Sequence, residues 1–506
     1  MKIHLSAFLI PLLSLIMALG QGSAVADSPQ ILTPPAGPQP RITGARVFGV
    51  RPGNPFLFSV TATGDRPMTF FADGLPAGLQ LDPQTGRITG TLKDEGTYAV
   101  TVGASNAAGS MKRPLKIVCG SQIGLTPAMG WNSWNCFASS VSEDKVKAAA
   151  DAMVTSGLIN HGWTYINIDD FWQVNPGSSD PTLHGVGRDS QGRILPNSRF
   201  PDMKGLVDYV HGKGLKIGIY SSPGPWTCGG CVGSWQHEES DAKQYGDWGF
   251  DYLKYDWCSY GGVVHNDHSL AALKKPYAVM HAALEKVPRD ILFSFCQYGW
   301  GAVWRWGAET GGNSWRTTGD ITDNWDRVSY IGFNQAGEEQ YAGPGHFNDP
   351  DMLVVGRVGW GAHLHPTHLT ANEQYTHISL WCLLSAPLLI GCDMTQLDPF
   401  TLSLLTNDEV LDVDQDPLGR QASRVWQEGP YQVWSKDMED GSKAVGIFNI
   451  GELPSPVTVN WSEIGVTGKQ TVRDLWRQKD LGVFDGAFTG TVPTNGVVLV
   501  KISPAK

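Results

Sequence analysis

The stretch Phe250-Asp251-Tyr252-Leu253-Lys254-Tyr255-Asp256-Trp257-Cys258 decides how the rest of the chain is read. Tyr252, Leu253 and Tyr255 are strand formers. Lys254 interrupts them, and Asp256 stands where the apolar run stops. A barrel strand that ends in a carboxylate, two residues after a lysine, is where a nucleophile would sit. The same aspartate would also serve as the cap of the next turn, so its surroundings must decide.

Outward from this stretch, apolar strands alternate with amphipathic helices from residue 122 onward. Strands are expected at Pro127–Trp131, Thr164–Ile168, Leu215–Tyr220, Tyr252–Asp256, Ile291–Phe295, Trp315–Thr318, His346–Asp349 and Pro387–Gly391. Ser142 can cap a helix over Glu143–Ser156, with Glu143 and Asp144 in its first turn and Gly157 after its end. Met203, Leu206, Val207 and Val210 follow helical spacing until Gly212 and Gly214. Asp267–Glu285 and Ala371–Leu384 also read as helices. This alternation indicates an α/β fold, a (β/α)8 barrel over 120–414. An open doubly wound sheet would show a Gly-rich phosphate turn after its first strand, and none is present.

The flanks have a different character. Residues 415–506 return to strands at Tyr431–Ser435, Ala444–Ile450, Val457–Trp461 and Val497–Ile502, a C-terminal antiparallel β-sandwich. Residues 42–119 carry short alternating runs such as Phe56–Val60 and Tyr98–Val102. The wording of Gly74–Asp82 and Thr85–Thr91 resembles a bacterial immunoglobulin-like module, an N-terminal β-sandwich without catalysis. Residues 27–41 form a Pro-rich, extended linker. Residues 1–26 read as a signal peptide, with Lys2, an apolar run Leu5–Leu19 and the cleavage site Ala24-Val25-Ala26. An exported protein, periplasmic or secreted, is expected.

Composition narrows the partners. The net charge is −11 with a pI of about 5.6, and no Lys/Arg run stands out, so no nucleic-acid partner is expected. The leader is too short to span a bilayer comfortably and no later segment qualifies. Nineteen Trp and 60 Gly suit long loops and flat apolar surfaces for stacking on ligand faces. No Cys/His spacing resembles a zinc site, and the Cys228/Cys231 pair lies in a Gly-rich loop unlike a redox motif. Composition leaves the oligomeric state open.

Chemistry in such barrels sits at the C-terminal strand ends. Those ends carry Trp134, Asp169-Asp170, Tyr220, Lys254 with Asp256, Gln297, Arg316 with Asp320, and Asp349 with Asp351. Paired carboxylates with aromatic walls are what glycosidic bond cleavage needs. One attacks or stabilises the anomeric carbon and another protonates the leaving oxygen.

Thr126–Trp134, Tyr165–Asp170, Gly214–Tyr220, Lys254–Cys258, Trp315–Ile321, Asn348–Leu353 and Gln415–Gly419 together resemble glycoside hydrolase family 27, the α-galactosidase and α-N-acetylgalactosaminidase family. The resemblance runs from residue 122 to the end. It implies a retaining exo-glycosidase acting on terminal α-linked galactose, with no metal and no organic cofactor. It makes Asp256 the nucleophile and Asp320 the general acid/base. It gives Asp169, Asp170 and Lys254 to the galactose hydroxyls and Trp134 to the aromatic floor. Tyr220, Arg316, Asp351 and Met352 would line the pocket, and Cys228 and Cys258 would form a disulfide at its rim. Gln297 and Trp300 depart from the common pattern and would form the wall facing C2. The intact Asp169-Asp170 pair favours galactose over arabinopyranose, which lacks the 6-hydroxyl. α-N-acetylgalactosaminidase, β-L-arabinopyranosidase and isomaltodextran-cleaving activities stay open on the same scaffold. Lys254 is expected to hold Asp256 ionised, and Asp320 to start protonated in a less polar setting.

Overall fold

The computed structural model describes residues 29–361 and 363–505; the expected signal peptide lies outside them. The centre is a parallel barrel sheet. Its strands are β1 Met129–Asn132, β2 Tyr165–Asn167, β3 Lys216–Ser221, β4 Tyr252–Asp256, β5 Leu292–Cys296, β6 Ser314–Arg316, β7 Phe347–Asp349 and β8 Leu388–Ile390. Consecutive strands pair in parallel from β1 to β7, and β8 pairs with β1. A parallel bridge from Leu353 to Ile390 closes the ring beyond β7. Helices cross back over the outside, except between β5 and β6, where only a short turn at Val303–Arg305 intervenes.

The sequence dictates where the helices start. Ser142 accepts the Lys145 N–H, and Asp202 accepts the Gly205 N–H, before the helices at Glu143–Thr155 and Met203–Gly212. The helix expected from Asp267 begins only at Leu270. Ser269 caps it by accepting from Ala272, and the Asp267 carboxylate is spent on Ser269. Thr370 and Glu373 form a reciprocal capping box ahead of Ala371–Leu383, a helix buried along its whole length from Glu373 to Leu383.

That buried helix joins the barrel to the C-terminal sandwich, whose main sheet runs 423–428, 431–437, 443–449, 496–504, 469–474, 479–485. Trp476 donates to Ser379 and Thr376 donates to the Asn495 carbonyl across this seam. The apolar core is continuous from barrel to sandwich, with Trp434, Phe448, Leu475 and Leu499 in the same cluster as Trp381.

The N-terminal module is built on a four-stranded sheet, a three-stranded sheet and a two-stranded pair. It has its own separate core around Ile42, Phe56, Ile88 and Ile117. It sits against the end of the barrel where the strands begin. Ser59 donates to the Gly214 carbonyl and Arg87 to the Gly212 carbonyl. Arg51 binds Asp290 through its backbone N–H at 3.0 Å and its Nε at 2.8 Å. The Pro-rich segment ahead of the module is docked on the barrel too. Tyr375 bonds both the Leu32 N–H and the Gln30 carbonyl, and Thr33 bonds the Ser403 carbonyl.

Candidate active site

At the opposite end, where the strands finish, the structure gathers the expected polar residues. Asp256 closes β4 and is almost entirely buried. Its Oδ2 accepts from Tyr220, on β3, at 3.1 Å, and its Oδ1 accepts from Tyr298 at 2.8 Å. Lys254, two residues earlier and therefore on the same face of the strand, bonds Asp169 at 2.8 Å. Asn132 also donates to Asp169, and the Asp169 Oδ1 accepts the N–H of Asp170. Asp170 in turn accepts from the backbone of Phe171 and Gly229. Both carboxylates of the pair are thus fixed from several sides.

Arg316, at the end of β6, is buried and forks between two carboxylates. Its Nη2 lies 3.1 Å from Asp320 Oδ1 and 2.8 Å from Asp351 Oδ2. Asp351 also accepts the N–H of Ile321 and of Met352. Its carboxylate therefore organises the Arg316–Asp320 corner, with Met352 buried beside it. Trp134 stacks on Phe171 at 14°. The expected disulfide joins Cys228 to Cys258, just beyond the end of β4. Cys119, Cys136 and Cys231 are unpaired and buried.

Gln297 turns its amide to the Trp300 carbonyl at 3.1 Å and supports a tight loop. In that loop Tyr298 has φ 66° and Gly299 φ 85°. A Cβ on Gly299 would lie 2.1 Å from the Thr317 carbonyl oxygen, so only glycine lets the loop reach β6. Trp300 stands partly exposed at the mouth, edge-on to Trp257 and Tyr298 and stacked on His268 at 4.7 Å. Sequence reasoning missed Tyr298 as a partner of Asp256. It lies outside any strand and nothing in its spacing marks it; the left-handed turn and Gly299 bring it in.

The electrostatics differ from expectation. Burial pushes the Asp256 carboxyl above the ordinary range; Lys254 and the Tyr298 hydroxyl oppose this without cancelling it. Lys254 spends its hydrogen bond on Asp169, so its hold on Asp256 acts only through space. Enclosure by the pocket walls also raises Asp320, but Arg316 and Lys254 outweigh it and leave that carboxyl below its usual value. The Asp320 side chain is 71% exposed at the mouth. Far from being apolar, its setting in the free protein is a cation's neighbourhood. Burial drives Asp170 to about 6, against hydrogen bonds from Thr227 and Gly229.

A family model for alpha galactosidase A matches residues 126–416, and one for the alpha galactosidase C-terminal beta sandwich domain matches 428–502. An Ig-domain model matches 39–119. The α-galactosidase of Cyamopsis tetragonoloba is 41% identical over 387 residues, spanning 76% of this chain and 87% of that protein. A Bacteroides fragilis protein with a provisional α-galactosidase/melibiase assignment superposes with a TM-score of 0.86 at 36% identity, covering 94% of this chain and 99% of that one. A family 27 β-L-arabinopyranosidase from Geobacillus stearothermophilus superposes with a TM-score of 0.68 at 30% identity, covering 75% and 97%.

Proposed function

Since this chain belongs to the α-galactosidase family, glycoside hydrolase family 27, we propose that it cleaves terminal α-galactosides with Asp256 as nucleophile and Asp320 as general acid/base. The protein is an α-galactosidase, a retaining glycoside hydrolase. Asp256 attacks the anomeric carbon as the bond from that carbon to the leaving oxygen breaks, and Asp320 gives that oxygen its proton. Water then loses a proton to Asp320 and attacks the same carbon. This releases galactose in its original configuration and frees Asp256. The observation that carries the reading is Asp256 itself, a buried carboxylate held by two tyrosine hydroxyls beside a Lys–Asp pair.

Asp320 must be protonated for the first step, whereas Arg316 keeps it ionised in the free enzyme. A sugar seated in the mouth displaces the water around Asp320 and favours its neutral form.

Asp169, Asp170 and Lys254 supply acceptors and a donor for galactose hydroxyls. These hydroxyls are common to galactose and N-acetylgalactosamine, so discrimination falls to the wall facing C2. Trp300 packs on Tyr298, whose hydroxyl reaches Asp256, which supports a place for its indole on that wall. An acetamido group pressed against it costs about 1–3 kcal/mol, or roughly a 10- to 100-fold preference for galactose. The test compares kcat/KM on nitrophenyl α-galactoside, α-N-acetylgalactosaminide and β-L-arabinopyranoside, before and after Trp300→Ala. The parent should prefer the galactoside, and the variant should narrow the gap to the acetamido sugar. Equal rates in the parent would remove Trp300 as the filter. We also propose export from the cytoplasm, on the strength of the N-terminal Lys2, Leu5–Leu19 and Ala24-Val25-Ala26 pattern.

A further inference from the structure

We propose that Asp323, His365 and His368 bind a divalent transition-metal ion of the zinc class at the rim of the mouth. The three come from two separate segments. Asp323 lies in the stretch between β6 and the helix Trp325–Phe333, three residues after Asp320. His365 lies in the short hairpin of Arg357–Val358 with His365–Pro366, and His368 follows it. Their ligand-capable atoms all fall within 4.8 Å of one another. His368 Nδ1 is 3.0 Å from Asp323 Oδ2, and His365 Nδ1 is 3.8 Å from the same oxygen.

Tetrahedral zinc with ligands at about 2.0–2.1 Å holds its donor atoms about 3.3 Å apart. The two spacings to the Asp323 oxygen bracket that value. Asp323 is 6% exposed, and the N–H of His368 fixes its Oδ2 at 2.9 Å. The carboxylate is therefore already aimed. The imidazoles stack at 4.5 Å. One imidazole is enough to pair with a carboxylate; a second stacked beside it adds a nitrogen donor that pairing does not need. His365 Nδ1 also lies 2.9 Å from the Pro366 carbonyl, and capture requires that nitrogen to turn from the carbonyl to the ion.

The donor set of two imidazoles and one carboxylate selects the metal class. Imidazole nitrogens suit zinc, copper and nickel, whereas calcium and magnesium demand oxygen. His368 is 68% exposed and gives the ion its entry path. A bound ion would tie the segment following Asp320 to the 357–368 hairpin. The sequence hides this site because Asp323 is far from the histidine pair along the chain.

The test uses the full chain stripped with chelator. Zinc chloride titrated by calorimetry should bind at one equivalent, cobalt should give ligand-field absorption on binding, and calcium should give no heat. His368→Ala and Asp323→Asn should each weaken zinc by at least about tenfold. Zinc should raise the Tm of the parent and not of His368→Ala, because only a ligand that binds the folded state stabilises it. If Asp323→Asn fails to fold, the exposed His368 still carries the test. No saturable zinc binding, or binding unchanged in His368→Ala, overturns the proposal.

Discussion

The two ends of the barrel both bury charge, and they treat it in opposite ways. At the lower end, Asp251 is met by Arg289 at 2.5 Å, by His211 at 2.8 Å and by the Ile217 N–H at 3.0 Å. Asp290 is met by Arg51 and Asn54 from the N-terminal module. Lys216 points its ammonium at the face of Phe48, 4.6 Å away, another residue of that module. At the upper end the accounts are left open. Asp320 reaches into solvent, and among the described residues the buried Gln297 Oε1, Arg316 Nε and Thr318 Oγ1 have no partner. Polar groups completed by the protein give stability, whereas a carboxylate open to solvent, as at Asp320, is free to meet another molecule. The module's cover is part of what completes the lower end.

The sharpest way to break the comparison is to swap one aspartate for asparagine at each end. Asp256→Asn should lower kcat by about four orders of magnitude or more, since it removes the proposed nucleophile, while its Tm stays at or above that of the parent. A stopped assay with a good leaving group measures it. Retained turnover would place the nucleophile elsewhere.

Asp251→Asn should do the reverse. It leaves Arg289 and His211 facing a neutral amide, at a cost of about 3 kcal/mol in stability, with kcat near the parent value. Burial raises the Asp251 carboxyl, but the His211 hydrogen bond and the Arg289 charge overrule it and hold it at about 2. A depressed carboxylate stabilises the fold above its unfolded value near pH 4 and loses that contribution as pH falls through 2. Urea melts from pH 5 downward should therefore converge for parent and variant. A variant as stable as the parent at pH 7 would deny the lower end its role.

A smaller effect is expected from Tyr298→Phe. A hydrogen bond to a charged group contributes about 1.5–3 kcal/mol, so kcat/KM should fall roughly tenfold or more. The hydroxyl favours the ionised Asp256, so its loss raises that carboxyl and moves the acid limb of the pH profile upward. An unmoved acid limb would mean that Tyr298 only shapes the loop.

Removal of the whole module, residues 1–120, should leave the kinetics about as little changed as Asp251→Asn does. It bares Lys216 and the β-strand starts, so Tm should drop. None of the site side chains leaves with it, so kcat on an aryl galactoside should stay within about twofold of the parent, the scatter typical of sites that do not couple. A collapse of kcat in soluble truncated protein would show that the two ends are coupled.

How much of this was legible depends on the residue. Asp256 could be placed because the apolar run of its strand stops there, and the alternation of strands and helices around it named the barrel. The pairing of Cys228 with Cys258 was legible through the family wording alone. Tyr298 was not legible, since a left-handed residue in an irregular loop leaves no periodic trace. Nor was the charge on Asp320. Its sequence neighbours say only that an arginine stands four positions earlier; the fork of Arg316 between Asp320 and Asp351 is a fact of packing. The start of the helix after Asp267 slipped because two candidate caps compete there, and local hydrogen bonding chose Ser269.

The separate core of the N-terminal module has a consequence for how the enzyme meets insoluble material. The module grips one pole of the barrel and the mouth opens at the other. Anything that fastens the module to a resin, a wall or a fibre would present the mouth outward, toward free chain ends in the medium. Immobilising the enzyme through this module should therefore cost it little access to dissolved sugars, whereas a tether at the mouth loops would blind it.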